Sequence, residues 1–130
     1  MDLNLVWAVL AGTVLGAVTD WLFAGLLFRG RYQLHPGTWR GGPQAPRIAA
    51  TLALALLTSA AFVLLANKLG QIDLRGALKL AAMIWLIGPL PQLAAILVSL
   101  RIDPVATASH AAGWLVKLLL IGAATAWFLP

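Results

Sequence analysis

The sequence predicts an all-α fold: a polytopic membrane protein built as an antiparallel four-transmembrane-helix bundle. Three observations predict it. Hydrophobic residues make up 62% of the 130 and charged residues only 10%, against about 45–50% and about 25% in soluble domains. The apolar residues gather into four long runs, and most of the basic residues sit in the polar segments between them. A chain this short cannot hide so much apolar surface in one water-soluble core, because small domains leave a large share of their surface exposed. The surplus is expected to face lipid, within a single membrane domain.

The first run, 3–28, is long enough at about 1.5 Å per residue to cross a hydrocarbon layer of about 30 Å with some tilt. It has no basic residues ahead of it and extends well past the apolar core of a signal peptide, so it is expected to remain as a span. A basic, Gly- and Pro-rich loop follows at 29–47, where Pro36, Pro43 and Pro46 argue against a long helix. The second span, 48–66, carries no charge. A polar turn, "NKLGQIDLRG", leads to the third span, 77–100, apolar apart from Lys79 and Gln92. Pro89 and Pro91 lack amide donors and crowd the carbonyls of Trp85 and Ile87, so a kink is expected there, with Gln92 placed to serve a freed carbonyl. After "RIDP", Pro104 suits the opening turn of the last span, 105–128.

Cytoplasmic loops of membrane proteins are enriched in Lys and Arg. Arg29, Arg31, Arg40, Arg47 and Arg101 share one side, and Lys68 and Arg75, with Lys79 if its amine snorkels outward, lie on the other. That bias predicts both termini outside the cytoplasm, with the Arg-rich loop inside and Trp7 and Trp127 at the same outer interface. The membrane expected is a bacterial inner membrane. The net charge of +5 therefore reads as a topology signal. No basic patch lies on a polar helix or strand that could track phosphates, which argues against nucleic acid as a partner. The absence of cysteine excludes disulfides and thiolate chemistry. His35 and His110 lie on different segments, so no metal site and no cofactor is expected. No serine has a base and an orienting group beside it, so an enzyme is not expected.

The informative polar residues lie inside the spans. Gly12, Gly16, Asp20 and Ala24 recur at every fourth position of the first run and share one helix face. Gly12 and Gly16 form a small-xxx-small motif that lets another helix approach closely, so Asp20 is expected to point at protein. On the last span His110, Gly113 or Trp114, and Lys117 share a face. Counted from the inner ends of their helices, Asp20 lies roughly 13 Å deep, Lys117 about 18 Å and His110 about 8 Å, at ~1.5 Å per residue. By depth either could reach Asp20 with a long or tilted side chain; Lys117 is expected as its charge partner and His110 as a hydrogen-bond neighbour, with Gln92 completing a polar core. Trp21, Trp85 and Trp114 are candidate walls for a cavity beside the kink.

"LGAVTDWLFAGLLFRGRY", "MIWLIGPLPQL" and "HAAGWLVKLLLIGAATAW" together resemble the DUF1761 family, small membrane proteins of bacteria and fungi whose function is unknown. The resemblance covers most of the chain and implies four spans; it supplies no activity. At Phe28-Arg29-Gly30 and at Asp20 this chain departs from the family pattern, so no family-wide role is carried onto Asp20. In architecture alone the chain is similar to the small multidrug-resistance exporters, which have four short helices and an acid in the first. The expected function is structural or accessory, resting on a buried Asp20–Lys117 contact. The alternative is a proton- or ion-coupled transporter or channel, acting as a dimer, in which Asp20 titrates.

Overall fold

The structure is a computed structural model that describes residues 3–23, 44–100 and 104–129. The described residues are helical throughout, apart from short turns and caps, and contain no strand. Four spans of 21, 22, 26 and 25 residues are long and apolar enough to cross a membrane. The chain is a multi-pass membrane protein. The basic residues at 29–40, with Tyr32, His35 and Trp39, and Arg101 lie outside the described residues.

Helix α1 (Leu3–Asp20) continues through a π-helical turn to Phe23. Its threonines do not disturb it, because Thr13 and Thr19 donate to the carbonyls of Val9 and Leu15, each at 2.7 Å. Hydroxyls bonded back four residues are satisfied without water, as an apolar medium demands. Helix α2 (Gln44–Leu69) begins before the apolar run at 48 and outlasts its expected end at 66. Its first turn takes in Pro46, since a proline there gives up only an amide with no helical partner. It ends at Gly70, whose φ of +73° is a left-handed conformation that glycine adopts without strain. Gln71 N donates to Ala66 O at 2.9 Å and Gly70 N to Asn67 O at 3.3 Å, the bond pair of a Schellman cap.

Helix α3 (Leu74–Ile87) starts three residues earlier than the sequence suggests, because Asp73 caps it. The Asp73 carboxylate accepts from Gly76 N at 3.3 Å. The break expected at the prolines falls at Gly88, with α4 (Pro89–Ser99) beyond it. The third span is thus two helices, 74–87 and 89–99, where one run of 77–100 was expected. Helix α5 (Pro104–Phe128) opens on its proline.

Contacts between neighbours establish the topology. A Cβ placed on Gly12 would meet Ser59 and Ile121, and one on Gly16 would meet Ala55 and Lys117. Residue numbers thus rise along α1 as they fall along α2 and α5, so α1 is antiparallel to both. Gly122 packs on the Ala77 carbonyl, and Trp85 Nε1 donates to Ala111 O at 2.9 Å. Helix α3 is therefore antiparallel to α5 as well, which completes an up-down bundle. Helix α5 is its centre, packed against every other helix.

The bundle is closed at one end and open at the other. Ala8, Phe62, Val63, Ala66, Ala81, Leu118, Ile121 and Leu129 form the core, all near the end that holds the starts of α1 and α3 and the ends of α2 and α5. Toward the other end α2 makes no extended contact with α3 or α4. The outer surface is apolar: Leu3, Trp7, Leu10, Val14, Val18 and Trp21 line the back of α1, and α4 buries no residue at all. Such a belt is stable in lipid and not in water.

Candidate functional site

Close helix approach builds the site. Gly16 lets the stem of Lys117 lie across α1, its Cδ only 3.3 Å from where a Cβ would stand. The ammonium thereby reaches Asp20, one turn further along α1. Lys117 Nζ lies 3.1 Å from Asp20 Oδ1 and 3.3 Å from Oδ2, so the carboxylate accepts with both oxygens. The same ammonium stands over the Trp114 ring, 3.7 Å from its centroid, where the negative face of the indole attracts a cation.

The two partners differ in exposure. The Lys117 side chain is 7% exposed and that of Asp20 35%. Asp20 is less enclosed than the sequence suggests, and the reason is its place on the helix. The buried face of α1 runs through Ala8, Gly12, Gly16 and Thr19, leaving Asp20 at its margin. The π-helical turn follows immediately and brings Phe23 against Gly113; π turns inside helices occur disproportionately at functional sites.

The exposed edge of Asp20 opens into a cleft of about 420 Å³ between α1, α2 and α5, lined by Phe23, Thr51, Thr58, His110 and Trp114 among others. A second cleft, of about 720 Å³, lies between α2 and the α3–α4 break, with α5 as its floor. Thr58, His110 and Trp114 line both.

The expected residues are therefore only partly assembled. Asp20, Lys117 and His110 line one cleft, whereas Gln92 lines the other. Gln92 does not join the ion pair, because the break at Gly88 sets α4 on the far side of the second cleft. Its backbone amide donates to Gly88 O at 3.2 Å, one helical turn back. Of the candidate aromatic walls, Trp114 serves both clefts and Trp85 ties α3 to α5. Trp21 is exposed on the outer stripe of α1 and lines neither. Thr58 and Ser59 both bond backbone carbonyls, as their hydroxyls in an apolar span lead one to expect, but sequence reasoning did not place the partner of Ser59 on another helix: its Oγ donates to Val9 O at 2.8 Å and joins α2 to α1. Its signal was available: Ala55 and Ser59 form a small-residue face like that of Gly12 and Gly16. Among the described residues no group of three metal-ligating side chains converges.

Compared with known proteins, the chain matches no family model, no curated protein and no solved structure.

Proposed function

We propose that the chain is a structural or accessory protein of a bacterial inner membrane, without enzymatic activity, in which the Asp20–Lys117 pair fastens α1 to α5 inside the bilayer. The observation that carries this reading is the two-oxygen ion pair on a nearly enclosed ammonium. A carboxylate and an ammonium that meet in an apolar medium neutralise one another, whereas either alone is strongly penalised there. The test is a double-mutant cycle on protein in detergent, with thermal unfolding as the readout. Asp20→Asn and Lys117→Met should each lower the melting temperature, and the double variant should lose less than the sum. Additive losses would remove the pair from this role.

A second reading is favoured by a specific observation. Asp20 presents its free edge to a cleft, as a titrating group of a proton- or ion-coupled transporter would, with a homodimer enclosing the path. In proteoliposomes that reading requires pH-dependent ion flux, lost in Asp20→Asn while the fold persists. The resemblance to the DUF1761 family fits both readings and favours neither.

A further inference from the structure

The larger cleft contains a polar group to which none of the described residues offers a partner. Among the described residues, the Gln92 side-chain amide makes no hydrogen bond. It lies roughly 10 Å from the end of α4 at Ser99, at ~1.5 Å per residue, which is within the span. In hydrocarbon an amide that bonds nothing is strongly penalised, and none of the described residues supplies its partner.

The surroundings define that partner. Gln92, Thr58 and His110 stand on three different walls, all toward the end of the cleft nearer Ser99 and Pro104. The remainder is apolar, with Leu65, Phe62, Ile84 and Leu118 running toward the closed end of the bundle. Thr58 already donates to Leu54 O at 2.9 Å, so what its oxygen has left to offer is an acceptor. Gln92 supplies both a donor and an acceptor. A volume of about 720 Å³ is that of an ordinary small-molecule site. The polar groups lie too deep for a phosphate headgroup, which would have to leave the interface and shed its water.

We infer that the cleft between α2 and α4 binds a neutral, small-headed membrane amphiphile: a hydrocarbon body ending in one hydroxyl or carbonyl, which hydrogen-bonds the Gln92 amide. Its head points to the Ser99 end and its chain lies along Leu65 and Leu118, the direction a lipid of that leaflet already has. The cleft opens sideways, because α2 does not pack along α4, so the ligand enters from the bilayer. This inference needs the chain to span a membrane and does not depend on whether Asp20 titrates.

The test uses the full chain in lipid nanodiscs and a diazirine-bearing hexadecanol, with labelled residues mapped by mass spectrometry. Saturable labelling at Ala61, Leu65, Leu93 and Ile96 is expected. Hexadecanol should compete about tenfold better than hexadecane, the worth of one hydrogen bond in such a site. Gln92→Leu should abolish that preference. Ala61→Trp, a change at an exposed position that fills the cleft, should remove the labelling while the melting temperature holds. Equal competition by hexadecane, stronger competition by charged hexadecanoate, or labelling spread evenly over the outer stripe of α1 would each overturn the inference.

Discussion

Asp20 and Lys117 depend on each other unequally, because only one of them has another recourse. With Lys117 replaced by Met, the carboxylate keeps an exposed edge on the cleft. With Asp20 replaced by Asn, the ammonium stays enclosed with an amide oxygen and the Trp114 ring but no counter-charge. Breaking a fully buried pair costs about 3–5 kcal/mol. Partial exposure of the acid lowers that here to roughly 1–3 kcal/mol, with screening by water taken into account. Asp20→Asn should therefore destabilise more than Lys117→Met, an order that thermal unfolding of the two variants reads directly. A second residue-scale prediction concerns the contact of α1 with α2. Ser59→Ala removes a buried bond and should cost about 0.5–1.5 kcal/mol, toward the low end because Val9 O also accepts from Thr13. Gly12→Ala would drive a methyl into the Ser59 hydroxyl and should cost about 1–3 kcal/mol. Its cost should shrink in the Ser59→Ala background, where the obstructing oxygen is gone. A meeting of Asp20 with the last helix was legible at this scale because helical rise is a fixed ruler, but depth left Lys117 and His110 equally near, and it was the opposite charge of Lys117 that singled it out. The exposure of Asp20 was not, because residues four apart drift around a helix and nothing in the sequence announces the π-helical turn after it.

At the scale of elements, the four apolar runs and the break in the third were legible, and the ends were not. Run lengths follow hydropathy, whereas ends follow caps. Asp73 and Gly70 lie in what composition reads as a loop, yet each completes a helix end by a specific bond. The break at Gly88 was legible because proline removes a donor wherever it stands. Its consequence, a cleft beside it, depends on where α2 lies and so could not be read from the third span alone. The prolines should be the cause of the break and not bystanders. Spin labels at Leu74 and Val98 on an unbroken helix would have backbones about 36 Å apart, at ~1.5 Å per residue. The native distance should be shorter, and Pro89→Ala with Pro91→Ala should lengthen it toward that limit. An unchanged distance would mean that packing on α5 imposes the bend.

For the whole molecule, the governing fact is the contrast between a closed end, where Ala, Val and Phe interlock, and an open end, where two clefts flank α5. The sequence contains half of this contrast. Small residues on α1 and α2 predict close approach, but the gap between α2 and α4 is a property of four helices together. Orientation is also a property of the whole, set by which end carries the arginines. If both termini face outward, the turn at 67–73 must face outward too, since it lies at the same end as the starts of α1 and α3. The chain has no cysteine, so Asn67→Cys introduces a single probe at an exposed position beyond the charge-free second span. In intact spheroplasts a membrane-impermeant maleimide should label it fully, and disrupting the membrane should add nothing. Labelling that appears only after disruption would invert the molecule, placing the Asn67 turn in the cytoplasm. The Ser99 end of both clefts, and with it the free edge of Asp20, would then open toward the outer leaflet.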